Sequence, residues 1–467
     1  MGGHRAATLT FLGAAGTVTG SRTLLGLDGR EVLVDAGLFQ GEKRWRLRNW
    51  EPWPRDPTTL TDVVLTHAHL DHCGYLPVLV REGFHGRVWC TEGTRALVEI
   101  VLRDAAHLQE ADAAYAARAG FSRHRPPLPL YTVADVERTL PLLTTVPFDE
   151  DVPVGDDLSV RMTRAGHILG AASVTLRWDG GSVVFSGDLG RAEHPVLRSR
   201  DVPPGAPFVV LESTYGDRDH PEPDGPPHEE LADVVRRTVR RGGSVLIPAF
   251  AVDRTEVVLR ALSDLWRDGR IPRVPVHVDS PMALAALDVY RDPRFRDELR
   301  PELRDGDLVQ LPDLHEARSA AESIELNDPR SPCIVISASG MATGGRVLHH
   351  LRHMLPDRRH SVVLTGYQAV GTRGRDLAEG ARLIKMHGRY VPVRAEVVLV
   401  EEFSVHADAD ELLGWVGALR PVPETVFVNH GEPEAAAALA ARIDSELGIV
   451  AVAPRHGEVV SVRPGTL

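Results

Sequence analysis

The chain has 467 residues, more than one ordinary hydrophobic core holds, so two or three domains are expected. Hydrophobic residues make up 43% and charged residues 25%, the balance of a soluble globular protein, and no apolar run approaches a membrane span. The formal net charge of −12 excludes a generally basic coat for nucleic acid; such a substrate would need positive charge gathered in one groove. Cys73, Cys90 and Cys333 form no disulfide framework, and Cys73 has no cysteine partner at metal spacing. Nearly all the basic residues are arginine, but Asn and Gln are scarce too, so the arginine excess reads as compositional bias. Met1–Arg5 leads into a strand-like run rather than a signal-peptide core, and a cytoplasmic location is expected.

Leu9-Thr10-Phe11-Leu12 reads as a strand running into the Gly-rich turn Gly13–Gly16. Two further strand runs, Ser21–Leu27 and Glu31–Asp35, flank Asp28-Gly29, a hairpin signal. Asp35 closes a buried strand, so its carboxylate needs a partner. Asp62-Val63-Val64-Leu65 reads as another buried strand. It delivers Thr66-His67-Ala68-His69-Leu70-Asp71-His72, in which His67, His69, Asp71 and His72 can each hold a metal. His67 and His69 alternate and point the same way if the strand continues. Asp71 and His72 come after the turn and can face a second ion. Mixed nitrogen and oxygen ligands suit zinc.

Residues 93–118 have helical spacing, and Pro126–Pro129 ends that region. Strands return over 158–188 and bring two polar residues beside glycines, His167 and Asp188. Phe208–Leu211 is a strand that ends on Glu212. The Pro/Gly/Asp-rich stretch 216–228 reads as a loop. Strand and helix then alternate. Ser244–Pro248, Val274–Val278, Ile334–Ser337 and Ser361–Thr365 are strand-like; Arg254–Trp266 and a segment from Pro281 are helical. Ser339-Gly340-Met341 leads into a helix through Leu355. This alternation predicts a parallel sheet. β-rich sequence resumes at Ala395–Glu401 and Thr425–Asn429, with His406 and His430 at strand ends.

These residues, in this order, resemble the metallo-β-lactamase superfamily. Asp35 matches its first motif, His67–His72 its second, His167 its third and Asp188 its fourth. Glu212, His406 and His430 match motifs A, B and C of the β-CASP branch, the nucleases of RNA and DNA processing. Asp35–Gly41, Glu212-Ser213-Thr214-Tyr215-Gly216, Asp279-Ser280-Pro281, Ser339–Arg346 and Gly366-Tyr367-Gln368 resemble its bacterial and archaeal ribonucleases and the pre-mRNA 3′-end cleavage nuclease. The resemblance covers nearly the whole chain. It implies an α/β architecture, an αββα sandwich with an inserted α/β domain built on a parallel sheet. The lactamase domain would take residues 1–211 and 384–467, and the inserted domain 212–383.

The resemblance further implies two zinc ions. His67, His69 and His167 would hold one; Asp71, His72 and His430 the other; Asp188 would bridge them. A bridging hydroxide would attack phosphorus, leaving a 3′-hydroxyl and a 5′-phosphate. Asp35 would orient a ligand histidine. His406 would be the general acid, held by Glu212. Ser339 and Gly340, at the start of a helix, with Arg346, Arg373 and Ser404, would line an RNA cleft between the domains. Histidine at motif C is the feature of RNA-processing members, so single-stranded RNA is the expected substrate and endonucleolytic cleavage is favoured. A DNA nuclease and a non-catalytic RNA-binding subunit are the alternatives. No membrane association is expected, and a homodimer is compatible with the sequence.

Overall fold

A computed structural model describes residues 7–27, 29–119, 126–220 and 225–463. It divides into two compact units. The first takes Met1–Gln40, Arg44–Asp219 and His406–Leu467; the second takes Gly41–Lys43 and His220–Val405. The inserted segment read from sequence as 212–383 thus differs from the compact unit at both ends.

Among the described residues the first unit holds two seven-stranded sheets. One runs in the order Val459–Val462, Ala7–Phe11, Thr23–Leu27, Arg30–Val34, Leu60–Val64, Arg87–Cys90, Leu143–Thr145. The other runs Val450–Val452, Thr425–Val428, Phe208–Leu211, Gly181–Phe185, Ala172–Trp178, Leu158–Arg164, Val152–Pro153. Leu9, Phe11, Leu25 and Val34 of the first sheet share one core with Met162, Val174, Phe185 and Phe427 of the second. Each of these large side chains contributes about 1.5–3 kcal/mol on burial. Helix Pro433–Arg442 packs on Thr425–Val428 and Val450–Val452, and helix Glu92–Ala119 on Leu143–Thr145.

Each sheet has a parallel part. Arg30–Val34, Leu60–Val64, Arg87–Cys90 and Leu143–Thr145 run parallel in the first sheet. Gly181–Phe185, Phe208–Leu211, Thr425–Val428 and Val450–Val452 do so in the second. Phe208–Leu211 is buried on both faces between parallel neighbours, hence its uninterrupted apolar sequence. Parallel strands end on the same side, so the loops beyond their C-termini converge, the usual place for a ligand in such sheets.

The predicted hairpin pairs Thr23–Leu27 with Arg30–Val34 antiparallel; Gly29 has a φ of 76°, and Asp28 lies outside the described residues. The long helix spans Glu92–Ala119. After the prolines a short helix, Val133–Thr139, opens on a capping box made by Thr132 and Asp135.

The second unit contains a sheet of six strands among the described residues, all parallel, as the alternation predicts. Its order is Leu314–Glu316, Val276–Val278, Ile334–Ser337, Val245–Pro248, Ser361–Thr365, Glu396–Val400. Glu396–Val400 pairs with Ser361–Thr365, which is why this unit extends beyond residue 383. The helix expected directly after Ser339–Met341 begins only at Val347. The intervening residues turn, with Ala342 and Gly345 at positive φ, so Ser339 and Gly340 do not sit at a helix N-terminus.

Candidate metal centre

The strand ends of the first unit supply the site. Asp35 comes after Arg30–Val34, Thr66 and His67 after Leu60–Val64, Asp188 after Gly181–Phe185, Glu212 after Phe208–Leu211, and His430 after Thr425–Val428. His69 precedes the short helix Leu70–Cys73, which carries Asp71 and His72 in one turn. Asp35 and His430 both hold left-handed backbone, with φ of 60° and 49°. Non-glycine residues rarely adopt it, and here the hydrogen bonds on each side hold it in place.

Ligand-type atoms of His67, His69, His167 and Asp188 lie within 4.8 Å of one another, and those of Asp71, His72 and His430 form a second such group. Asp188 lies between the groups. Its carboxylate is 3.6 Å from His67 Nε2 and 3.7 Å from His167 Nε2, and 3.4 Å from His72 Nε2 and 3.5 Å from His430 Nδ1. Imidazole nitrogens face one another directly. His67 Nε2 is 3.1 Å from His69 Nδ1, His167 Nε2 is 3.3 Å from that same atom, and His72 Nε2 is 3.1 Å from His430 Nε2. Imidazole nitrogens at this spacing share either a proton or a cation. Tetrahedral zinc, with Zn–N about 2.0–2.1 Å, sets neighbouring ligands about 3.3–3.4 Å apart. Buried Asp188 Oδ1 receives no hydrogen bond, a further sign that a positive ion belongs there. The donor set and its spacing fit bound metal.

Burial, with His72 beside it, holds the His67 pKa well below the ordinary value; burial and His406 do the same for His167. Burial also lowers His69. These rings are neutral at pH 7, as metal ligands must be. Burial also opposes charge on His72 and His430. It is outweighed by Asp188 and Asp35 at His72, raised well above normal, and by Asp188 and Asp71 at His430. Burial would raise Asp188, but His430, His72 and His67 hold it well below the carboxylate range.

Asp35 touches no other carboxylate or imidazole of the cluster except His72, whose Nδ1 lies 2.7 Å away. Thr66 N–H donates to Asp35 over 2.9 Å, and Thr66 and Ser21 hydroxyls donate over 3.0 Å each. Thr66 Oγ1 also lies 3.1 Å from His67 Nδ1. Sequence reading assigns no role to Ser21 or to Thr214, whose Oγ1 is 3.4 Å from His430 Nδ1. Nothing in their spacing marks them; only the fold brings them in. Thr66, next to His67, is the one whose position in the sequence carries a signal.

His406 stands beside the first group, its ring 4.4 Å from that of His167. Its Nδ1 is 3.4 Å from Glu212 Oε1, and its side chain is 17% exposed, enough to meet a substrate. Leu189 N–H and Thr214 N–H donate to Glu212 over 2.7 and 3.2 Å. Glu212 also falls within reach of Asp188 and His430.

The remaining expected residues belong to the second unit. Arg346 turns into its own unit. Its Nη1 is 2.6 Å from Asp279 and donates to the Ala317 carbonyl over 2.9 Å. Arg373 Nε donates to the Lys385 carbonyl over 2.9 Å, and its Nη1 to the carbonyls of Ala342 and Thr343. Ser339 Oγ lies 2.9 Å from Thr343 Oγ1 and accepts from Thr343 N–H. Gly340 O accepts from Gln368 over 3.3 Å. Ser404 is buried, and its Oγ has no hydrogen-bond partner among the described residues. Both arginines therefore brace the Ser339–Arg346 turn.

Three family models match in succession. They are the metallo-beta-lactamase superfamily over residues 16–249, the Beta-Casp domain over 255–377, and the Zn-dependent metallo-hydrolase RNA specificity domain over 390–454. Ribonuclease TTHA0252 of Thermus thermophilus is 39% identical over 432 residues, 91% of this chain and 94% of that protein. An RNase J-like protein of Methanocaldococcus jannaschii is 30% identical, covering 87% of this chain and 90% of that one. The transcription termination factor FttA of Pyrococcus horikoshii is 32% identical over 86% of this chain, which spans 62% of that longer factor. A solved structure from Enterococcus faecalis, of a protein of unknown function, shares the fold with a TM-score of 0.51 at 15% identity, covering 98% of this chain and 100% of that one. Among the described residues no helix is long and apolar enough to cross a membrane. The chain belongs to the metallo-β-lactamase superfamily, in its β-CASP branch, and is a metal-dependent nuclease.

Proposed function

We propose that the chain is a zinc-dependent endoribonuclease with two metal ions. His67, His69 and His167 would hold one ion, Asp71, His72 and His430 the other, with Asp188 within reach of both. Bound there, the ions would activate water and neutralise charge at phosphorus. The chain's own residues do the rest. Asp35 keeps His72 Nδ1 occupied, so that Nε2 faces the centre. His406 gives its proton to the departing 3′-oxygen, leaving a 3′-hydroxyl and a 5′-phosphate. Glu212 orients that ring through Nδ1.

The observation that carries this reading is the His406–Glu212 pair beside the metal cluster, a proton donor 4.4 Å in ring centroid from a metal-type histidine. RNA as substrate is supported by relatives named ribonuclease and by the match to an RNA specificity domain, together with histidine at position 430. The test offers labelled linear and circular single-stranded RNA, and single-stranded DNA, to the zinc-loaded protein and to Asp188→Ala. The expected result is cleavage of both RNA forms, lost in the variant. Preference for DNA, or equal activity in the two proteins, would sink the reading. Intact circles beside degraded linear RNA would replace internal cleavage by attack from an end.

A further inference from the structure

The short helix Lys43–Arg48 and the turn after it expose an arginine-rich, aromatic surface. None of the helix residues is buried, Leu47 is 52% exposed and Trp50 58%. Residues 42–51 carry four cations (Lys43, Arg44, Arg46 and Arg48) against two carboxylates (Glu42 and Glu51), a local excess of positive charge in a chain of net charge −12. Among the described residues Arg46 and Arg48 form no ion pair, and Arg48 Nη1 is a buried donor with no partner. Arg44 and Arg48 both lie over the Trp45 ring, at 4.9 and 4.8 Å, and Trp45 stacks on buried Phe39 with 6.2 Å between centroids.

The ground beneath is also cationic. Arg22 is 5% exposed, lies 3.8 Å from the Tyr75 ring centre, and donates to Gly37 O and Asn49 Oδ1 rather than to a carboxylate. Burial, with a smaller push from Arg48, brings its pKa down to about 10; burial and these arginines bring His456 down to about 4. Asn49 locks the turn by accepting from Phe39 N–H over 2.9 Å and donating to Phe39 O over 2.7 Å.

This surface is tied to the metal centre by backbone. Ala36 N–H donates to His72 O over 2.7 Å and Leu38 N–H to Leu70 O over 2.8 Å. A Cβ at Gly37 would lie 1.7 Å from Asp71 O, so only glycine lets the two segments meet. The guanidinium groups of Arg46 and Arg48, outside any ion pair among the described residues, together with the exposed indole of Trp50, match a strand that offers phosphates and unstacked bases in turn. We propose that Arg44–Trp50 is a contact surface for single-stranded RNA, its arginines meeting phosphates and Trp50 presenting an open ring face to a base. The proposal rests on the nuclease reading of the metal site.

The experiment is fluorescence anisotropy of a labelled phosphorothioate single-stranded RNA, which resists cleavage, titrated with the zinc-loaded protein over a range of salt. Arg44→Ala/Arg46→Ala should weaken binding roughly tenfold and flatten the log–log salt slope by about 1.4. Trp50→Ala should weaken binding roughly tenfold with the slope unchanged, and Trp50→Phe should restore it. Zinc content and melting temperature report that each variant is folded. Wild-type affinity and slope in folded Ala variants would overturn the proposal, and the nuclease reading would stand if the wild type still cut RNA. Binding through these residues without RNA cleavage would keep the surface and remove the ribonuclease. A wild type that does not bind RNA removes both.

Discussion

Asp35 Oδ2 lies 2.7 Å from His72 Nδ1, while His72 Nε2 lies 3.4 Å from Asp188 on the opposite side of the ring. One carboxylate thus decides which nitrogen faces the centre. Asp35→Ala is expected to weaken metal binding about 10–100-fold, measured by competition with a chromogenic chelator. An unchanged affinity would mean that packing alone orients the ring.

Asp188 is the residue that both ligand groups share. Asp188→Ala is expected to abolish RNA hydrolysis and to lower bound zinc below the proposed two ions per chain, as read by elemental analysis. Two retained ions with full activity would count against a shared ligand.

His406→Ala is expected to lower kcat on RNA about 100–10,000-fold with bound metal unchanged. The loss should nearly vanish on bis(p-nitrophenyl) phosphate, whose leaving group needs no proton. Equal losses on both substrates would point to a positioning role. Glu212→Gln should show the same pattern more weakly.

In the second unit, Asp279 is fully buried and lies 2.6 Å from both Arg346 Nη1 and His350 Nε2. Burial would raise its pKa, but His350, Ser323 and Arg346 outweigh it. Asp279→Ala strands the Arg346 guanidinium and removes the acceptor of His350 and Ser323, and should cost about 3–5 kcal/mol in urea unfolding. A cost near zero would show that the network is slack.

Glu256 is fully buried, and among the described residues no side chain pairs with its carboxylate. Burial, then Asp253, pushes its pKa well above the ordinary value. The folded state therefore keeps a proton that the unfolded state releases, and stability falls as pH rises above the unfolded value. Glu256→Gln removes that dependence. Its stability relative to wild type should rise with pH by up to about 1.4 kcal/mol per unit above roughly pH 4.5, compared by urea unfolding at about pH 5 and pH 7. A constant difference would mean that the carboxyl titrates normally.

Much of the fold was legible. Apolar runs such as Phe208–Leu211 and Ile334–Ser337 mark strands, and the strand–helix alternation from Ser244 onward marks the parallel sheet. Residues that gather at the centre were marked by type and by their place at strand ends. Ser21 and Thr214 were not, because a hydroxyl has no distinctive spacing and gains its role only from what folds against it. The same limit hid the state of Arg346. Sequence shows an arginine after glycines, and only the structure shows Asp279 holding it. The left-handed backbone of Asp35 and His430 was equally silent, since neither residue is a glycine.

Strand Thr425–Val428 lies between Phe208–Leu211 and Val450–Val452, and it delivers His430 to a group begun by Asp71 and His72. That group is completed across a long span of chain, His72 and His430 being 358 residues apart. During synthesis the histidines of the first group emerge before His430, so the second group is the last to be completed. Premature stops anywhere before His430 yield fragments unable to complete the centre.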